Sequence, residues 1–390
     1  MREGWYKARL GELATVQSGS GFPTKYQGEA GQAIPFYKVS DMNITGNELA
    51  MIHENNSVTE DVRKTLGAFL FPKGSVIFPK IGGAIATNKK RLTTRDCCVD
   101  NNVMGVVPLA DKIDSDFLYY FLLRHDLSEF ANKAHLPSIK KTVVEDWPIF
   151  LPRAISEQKR IVGVLDEALN AIAAAKANTK KNFQNARALF ESHLQSVFTN
   201  RGERWKRKPL GELCELISGQ HIDAKDYNTD SRGVGYLTGP SDFGFMNPVV
   251  TKWTEHPKRM ARKGDILITV KGSGVGKINL SDIEEVAISR QLMAVRATAS
   301  DVQYLYAFLS TKFDYFQSLS NGAAIPGISR PDVLNLICPL PPPDEEQAIV
   351  EKILAMSEET QRLESVFERK LAALEALGKS LLHQAFSGQL

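Results

Sequence analysis

Cysteine is scarce in this chain of 390 residues, and the four cysteines stand at Cys97, Cys98, Cys214 and Cys338. None belongs to a C-x-x-C pair, and none has histidines nearby at the spacing of a zinc site. The seven histidines are scattered and lie at no metal or catalytic-triad spacing. We therefore predict no metal site, and we expect reduced thiols in an intracellular chain.

Long hydrophobic runs are also missing. No stretch approaches the roughly 20 consecutive apolar residues that span a bilayer, and residues 1–7 lack the apolar core of a signal peptide. We expect a cytoplasmic protein with no membrane association. The composition, 43% hydrophobic and 24% charged, is typical of a globular chain with room for two or three domains. A net charge of +3 permits a nucleic-acid partner without indicating one.

Catalytic and cofactor-binding signatures are lacking as well. The sequence has neither the Asn-Pro-Pro-aromatic nor the Asp-Pro-Pro-Tyr run of a methyltransferase. Residues 271–277 resemble a phosphate-binding loop, but Lys271 stands where a P-loop needs glycine and Ile278 where it needs serine or threonine. This stretch and its counterpart at residues 80–83 are therefore either tight turns or loops that approach DNA phosphate. We expect no catalytic residue and no cofactor.

What the sequence does contain is a repeat at about half its length. Residues 151–158 read Leu-Pro-Arg-Ala-Ile-Ser-Glu-Gln, and residues 340–347 read Leu-Pro-Pro-Pro-Asp-Glu-Glu-Gln. The offset between Gln158 and Gln347 is 347 − 158 = 189 residues. Each copy places proline and negative charge at a helix start, where both are favourable. A repeat this long indicates duplicated domains instead of a solenoid.

Each copy opens a long helical run, to about Phe198 and about Phe386. The first would extend about 65 Å over roughly 43 residues. Its apolar residues recur at steps of three and four, as in a coiled coil. The two predicted seams are Ile161, Leu165, Ala168, Ile172, Ala175, Phe183, Ala186, Phe190 and Val197, and then Ile349, Ile353, Met356, Leu363, Phe367, Leu374, Leu377 and Leu381. We expect the two runs to pair antiparallel, with a globular unit at each end.

The segments before the helical runs repeat too. Trp-x4-Leu-Gly-Glu-Leu occurs at Trp5 and Trp205, Ser-Gly at residues 18–19 and 218–219, and a Lys-Gly turn at residues 73–74 and 263–264. Met104 in an apolar strand is matched by Met293. For the first unit, the pattern predicts strand-turn-strand over residues 66–78, a strand at 103–107 and a helix at 116–124 behind an Asp or Ser cap. A basic joint at residues 200–209 separates the halves, and the predicted boundaries are 1–152, 153–200, 201–342 and 343–390.

Basic residues cluster in both globular units. Such local excess of positive charge provides phosphate contacts through counterion release, although a solvated charged face explains any single cluster equally well. The candidates for DNA contact are Lys80, Lys89, Lys90, Arg91, Lys140, Lys141, Lys258, Arg259, Lys271, Lys277, Arg290 and Arg330. The sequence does not single out base-reading residues, because many polar side chains serve that role.

Over essentially its whole length, the chain resembles the specificity (S) subunits of Type I restriction-modification systems. The resemblance rests on the duplicated motifs above and on the Asp41-Met42 turn. It implies two tandem α/β (α+β) target recognition domains, each binding one half of a bipartite double-stranded DNA target. It also implies an antiparallel coiled coil with pseudo-twofold symmetry, which sets the spacing and docks two methyltransferase (M) subunits, with restriction (R) subunits in the full complex. The S subunit itself would do no chemistry.

Two other interpretations stay open at this point. A coiled-coil scaffold that binds only proteins would share the long helices but would lack salt-sensitive affinity for DNA. A fragment of a fused methyltransferase-nuclease is disfavoured by the missing catalytic motifs.

Overall fold

The computed structural model describes residues 3–199, 202–320 and 326–390. Asn200 and Arg201 of the predicted basic joint lie outside the described residues. The chain divides into two compact units: unit 1 is Met1–Thr179 with Arg369–Leu390, and unit 2 is Lys180–Glu368. Each unit thus holds one α/β domain together with a part of both long helices.

Unit 1 is built on a five-stranded sheet of order β2-β9-β6-β7-β4, a three-stranded sheet of order β5-β3-β8 and a closing antiparallel pair, β1 and β10. Its strands are β1 (Trp5–Arg9), β2 (Ala14–Ser18), β3 (Ile34–Tyr37), β4 (Ala50–Met51), β5 (Ser57–Val58), β6 (Val76–Pro79), β7 (Arg91–Thr93), β8 (Cys98–Val99), β9 (Val103–Pro108) and β10 (Pro148–Pro152). Its helices are α1 (Leu10–Leu13), α2 (Glu60–Thr65), α3 (Ser115–Leu123), α4 (Lys141–Glu145) and the first part of α5 (Ile155–Thr199).

Unit 2 repeats this arrangement with sheets of order β12-β19-β16-β17 and β14-β13-β18-β15 and a closing pair, β11 and β20. Its strands are β11 (Lys206–Pro209), β12 (Cys214–Ser218), β13 (Val234–Leu237), β14 (Trp253–Thr254), β15 (Met260–Arg262), β16 (Ile266–Thr269), β17 (Ile278–Leu280), β18 (Glu285–Ile288), β19 (Leu292–Ala297) and β20 (Ile337–Leu340). Its helices are the last part of α5, then α6 (Val302–Ser310), α7 (Phe313–Ser320) and α8 (Arg330–Leu334), and the first part of α9 (Pro343–Ala385). The parallel pair β13–β18 corresponds to β3–β8, so the duplication extends to topology.

Each long helix ends in the core of a globular domain. In unit 1, Phe386 near the end of α9 packs edge-on against Phe117 and Phe121 of α3, with ring centroids 4.9 and 5.6 Å apart. In unit 2, Phe198 at the end of α5 contacts Tyr304 and Phe308 of α6 in the same manner, at 5.3 and 5.5 Å. Aromatic contacts of this kind stabilise beyond the burial of apolar area alone. The helices are therefore integral to both cores.

The two long helices pair antiparallel within each unit. In unit 1, a Cβ at Gly378 would lie 3.7 Å from Leu169, which joins the early part of α5 to the late part of α9. In unit 2, Arg187 forms an ion pair with the buried carboxylate of Glu364, and Leu194 lies in one core cluster with Ile353. Residues early in α5 thus contact residues late in α9, and residues late in α5 contact residues earlier in α9. This is the antiparallel pairing that the sequence predicted.

Three sequence predictions need correction. Leu377 is 48% exposed, and its neighbour Gly378 faces Leu169 in its place, although every other predicted seam residue is buried or half-buried. Residues 66–71 form no strand; they follow α2 with Gly67 at φ +56°, and only Phe71 makes a β-bridge.

The strand over residues 103–107 and the capped helix that follows are confirmed as β9 and α3, the latter with an Asp cap.

The third correction concerns the register of the repeated helix openings. Gln158 is buried and accepts a hydrogen bond from the Asp114 amide at 2.8 Å, just before α3. In unit 2 the same position relative to α6 is taken by Glu346, which accepts from the Asp301 amide at 2.6 Å, while Gln347 is exposed. The structural offset is therefore 346 − 158 = 188 residues, one fewer than the separation of the two glutamines. The connection from strand to helix is one residue shorter at the proline triplet.

Candidate nucleic-acid interface

Strand register brings several predicted cations of unit 2 to one end of the strands in its β12-β19-β16-β17 sheet. β12 ends at Ser218 opposite Met293, and β16 ends at Thr269 opposite Leu292. The connections that leave the sheet at this end therefore lie side by side. We call this region the cationic edge of unit 2 and define it as residues 218–222, 258–259, 270–277, 289–291 and 326–330.

Hydrogen bonds attach the remaining cations of unit 2 to this edge. Arg330 donates from Nη1 to the Ser218 hydroxyl at 2.8 Å, and Lys258 donates from Nζ to the His221 carbonyl at 3.0 Å. The Arg259 carbonyl accepts from the Ile288 amide at 3.0 Å, just before Arg290. All six predicted cations of unit 2 have exposed side chains: Lys258, Arg259, Lys271, Lys277, Arg290 and Arg330.

Four backbone amides in the glycine-rich loop of this edge form hydrogen bonds within the protein. The amides of Gly272, Val275, Gly276 and Lys277 all donate to carbonyls of the protein, at 2.9 to 3.2 Å. These N–H groups are therefore not free to bind phosphate oxygens, which a P-loop requires. Phosphate contact from this loop would come from the exposed side chains of Lys271 and Lys277.

Unit 1 has the equivalent edge. β2 ends at Ser18 opposite Met104, so both duplicated motifs, Ser-Gly and the strand methionine, pair directly with each other, as they do in unit 2. The Lys80 amide donates to the Asn102 carbonyl at 2.8 Å, and the Lys80 carbonyl accepts from the Ile139 amide at 2.9 Å. The second bond brings Lys140 and Lys141 alongside. We define the cationic edge of unit 1 as residues 18–22, 80–91, 100–102 and 137–141.

The duplicated glycine after each serine has a steric cause. A Cβ at Gly19 would lie 2.0 Å from the Asp100 carbonyl oxygen, and a Cβ at Gly219 would lie 2.0 Å from that of Ser289. Atoms do not approach this closely, so only glycine fits at either position. The close approach fixes the end of the strand, and with it the serine, against the neighbouring connection.

The prediction for Lys90 needs correction, because this side chain is only 1% exposed. Its Nζ donates to the Asn88 side-chain oxygen and to the His125 carbonyl, both at 2.6 Å. Burial lowers the pKa of Lys90 to about 8, although the charge of Asp126 acts in the opposite direction. Lys90 thus stabilises the connection over residues 82–91 through buried hydrogen bonds, and its ammonium is unavailable to DNA.

The neighbours of Lys90 remain accessible in part. Lys89 is half-buried and donates to the Asn43 side chain. Arg91 is half-buried as well, donates to the carbonyls of Lys90 and Met42, and has its pKa lowered by burial.

Sequence reasoning missed the polar partners of the cations. The Ser18 hydroxyl accepts a hydrogen bond from Lys80 Nζ at 3.0 Å, as that of Ser218 does from Arg330. Buried carboxylates hold the adjoining turns: the Lys38 amide donates to Asp41, and the Thr238 amide to Asp242, both at 2.6 Å. The duplication of Ser-Gly was the available signal for the serines. Asp41 was singled out through the Asp41-Met42 turn, but Asp242 was not, because it follows the amide that it binds by four residues instead of three.

Metal-binding clusters and membrane-spanning helices are both absent from the described ranges, which omit residues 1–2, 200–201 and 321–325. No group of three or more His, Cys, Asp or Glu side chains there could hold a metal ion. None of the helices in those ranges is long and apolar enough to cross a membrane. The four cysteines are buried and unpaired, and burial raises the pKa of the Cys98 and Cys338 thiols to about 12.

Two α/β domains of one topology, each with cations at the same sheet edge and each packed on paired antiparallel helices, define a duplicated nucleic-acid-recognition architecture. A family model described as "Type I restriction modification DNA specificity domain" matches residues 2–182 and 202–371. The chain belongs to this family. The match covers both halves, in agreement with the observed duplication.

Individual relatives are distant but span most of the chain. A putative type I restriction enzyme MjaX specificity subunit from Methanocaldococcus jannaschii is 26% identical over 313 residues, covering 74% of this chain and 71% of that protein. The EcoBI specificity subunit from Escherichia coli is 20% identical over 431 aligned positions, covering 100% and 87%.

Solved structures show the same fold. A chain from a structure on complex assembly and conformational transition of the type I R-M system superposes with a TM-score of 0.84 at 22% identity, covering 100% of this chain and 99% of that one. The HsdS subunit from Thermoanaerobacter tengcongensis superposes with a TM-score of 0.63, also at 22% identity, covering 100% and 98%.

Proposed function

We propose that this protein is the DNA sequence-specificity subunit of a Type I restriction-modification complex. Residues 1–152 and 201–342 would be its two target recognition domains, each binding one half of a bipartite double-stranded target. The observation that carries this proposal is the recurrence of a cationic edge at the same sheet position in both units. Clustered exposed cations supply phosphate affinity, whereas a scaffold that binds only proteins has no need to duplicate them there.

The two edges differ in their side chains while sharing their backbone frame. Unit 1 presents Lys80, Lys140 and Lys141, and unit 2 presents Lys271, Lys277 and Arg330 at corresponding loops. A common frame with different donors suits two different half-sites, because base edges are distinguished by the pattern of donors and acceptors.

The long helices, residues 153–200 and 343–390, would set the spacing between half-sites and dock two M subunits, to which R subunits are added. α5 has 45 residues and α9 has 43, so each is about 65 Å long. The chain would contribute recognition and no catalysis, and it would act in the cytoplasm.

A salt-dependence experiment tests DNA binding by the cationic edge of unit 2. The triple variant Lys271→Ala, Lys277→Ala, Arg330→Ala, assembled with M subunits, would bind a random-sequence duplex with a shallower dependence of log affinity on log salt. The slope should fall by about 0.9 for each phosphate that the variant no longer neutralises, and so by up to about 3.

The matched control removes Arg262 and Lys263. These exposed cations lie in the same unit but at the opposite end of β16, beside the Lys-Gly turn. Their replacement by alanine should leave the slope unchanged. An equal fall in slope per removed charge for both sets would indicate general charge attraction. No effect of the triple variant would favour the protein-only scaffold.

A further inference from the structure

We propose that Ser18 and Ser218 are positioning residues that hold one cation in place at each DNA-binding edge. Ser18 holds Lys80 through a hydrogen bond of 3.0 Å, and Ser218 holds Arg330 through one of 2.8 Å. The inference rests on the proposed function and deepens it, because it assigns a role to a residue type that carries no charge itself.

The serine is the fixed member of each pair. It is the last residue of a strand whose register is set by five paired residues. The following glycine donates its amide to the Val103 carbonyl in unit 1 and to the Leu292 carbonyl in unit 2, both at 3.0 Å. The steric fit of Gly19 and Gly219 against backbone carbonyls leaves this strand end no room to shift. Each hydroxyl is therefore presented from a rigid position.

The cation is the variable member, since it comes from a different place in each unit. Lys80 follows β6, whereas Arg330 is the first residue of α8. By strand register, the topological counterpart of Lys80 is the uncharged Val270. The counterpart of Arg330 is Lys141, which pairs with Glu145 at 3.6 Å. Two non-equivalent positions thus supply the cation that bonds the equivalent serine hydroxyl in each unit. Simple inheritance of a pair from the ancestral unit would have kept both partners in equivalent positions.

The consequence is a pre-ordered donor on an otherwise solvated surface. Long cationic side chains lose rotamer freedom when they bind, and a side chain already held by a hydrogen bond loses less. The two cations also differ in geometry: lysine offers a point charge, and arginine offers a planar fork that matches guanine or phosphate in a bidentate manner. With Nη1 held by Ser218, the plane of the Arg330 guanidinium is restricted. The serines therefore sharpen recognition in addition to raising affinity.

A double-mutant cycle tests this inference in the complex assembled with M subunits. The probe is the duplex recovered by selection from a randomised library, and the variants are Ser218→Ala, Arg330→Ala and the double substitution. Ser218→Ala should weaken binding about two- to tenfold, the ordering cost of one such side chain. It should leave the salt slope unchanged, because no charge is removed. In the Arg330→Ala background, Ser218→Ala should have no further effect.

Selection profiles provide a readout that a purely structural role would not change. Ser218→Ala should relax the selected sequence in one half-site only, and Ser18→Ala in the other. Ser218→Thr, which keeps the hydroxyl, should restore both affinity and profile. If Ser218→Ala weakened binding equally with and without Arg330, the proposal would be overturned, since the serine would then act independently of the cation.

The failure of this inference is distinguishable from failure of the proposed function. If Arg330→Ala weakens binding and Ser218→Ala does not, the anchoring role is refuted while DNA binding by Arg330 stands. If neither Arg330→Ala nor Lys80→Ala changes DNA affinity in folded complexes, both the anchoring role and the assignment of these cations to DNA are refuted.

Discussion

Burial of Lys90 predicts an unusual dependence of stability on pH. Replacement by methionine removes the ammonium while keeping a side chain of similar volume. It leaves the Asn88 side-chain oxygen a second donor, the Leu127 amide at 2.9 Å. The protein then no longer has to hold a positive charge at a site that is 1% exposed.

The size of the effect follows from the pKa of Lys90, lowered from 10.5 to about 8. Between these values the unfolded chain binds more protons than the folded one, so the free energy of unfolding of the unsubstituted protein rises with pH. The full linkage amounts to about 3 kcal/mol, and to about 2 kcal/mol between pH 8 and 10. Lys90→Met lacks this contribution. From pH 8 to 10 the free energy of unfolding of the unsubstituted protein should therefore rise by about 2 kcal/mol more than that of the variant.

Native-state hydrogen exchange provides the assay, because it resolves local opening in unit 1 from events elsewhere. Peptides that cover residues 82–93 and 121–130 are compared between the two proteins at matched pH. The control is Lys73→Met, which removes an exposed lysine of the same unit and should show no such trend. A constant difference between Lys90→Met and the unsubstituted protein from pH 8 to 10 would refute the assigned burial. Lys90→Met should also leave the salt slope of DNA binding unchanged.

Three other outcomes are expected. Asp265→Ala should destabilise unit 2 by about 3 kcal/mol in urea unfolding, because Arg296 would lose its bidentate partner at 2.7 and 2.9 Å; a change under about 1 kcal/mol would contradict this. Gly19→Ala should cost about 1–3 kcal/mol in the same assay, whereas Gly21→Ala, with no atom within 4 Å of the added Cβ, should be nearly neutral. Insertion of one heptad into both α5 and α9 adds about 10 Å of helix, or about three base pairs. The mapped target should then keep both half-sites with a longer spacer, and an unchanged spacer would exclude the helices as the spacing element.

Local patterns were sufficient to predict the duplicated architecture. The steps of three and four predicted both long helices, since amphipathic periodicity reports directly on which face packs. Proline in the connections and early acidic residues marked their starts. The exception at Leu377 arises because the small Gly378 lets Leu169 approach there, which periodicity alone does not reveal.

Tertiary contacts determine which of the predicted cations are accessible and which serines they bind, and the sequence alone does not show these contacts. Lys90 looks like its neighbours Lys89 and Arg91 in the sequence, and only the packing of residues 88 and 125 around its Nζ separates them. Likewise, the serine-cation pairs join residues 62 positions apart in unit 1 and 112 apart in unit 2. Separations that differ so much between repeats leave no spacing signal.

The register of the helix openings shows the same limitation. Matching Gln158 to Gln347 follows residue identity, whereas the protein matches Gln158 to Glu346 by function, since each accepts from the amide of a helix cap. The proline-rich connection is one residue shorter in unit 2, so the residue equivalent to Gln158 in the structure is Glu346 and not the identical Gln347.

The most direct test of the proposed function is an exchange of residues 1–152 for the corresponding domain of a relative, followed by mapping of methylated adenines in DNA exposed to the assembled complex. We expect a new sequence in one half-site, with the other half-site and the spacer unchanged. A target altered in both halves, or in neither, would contradict the assignment of one reading domain to each half.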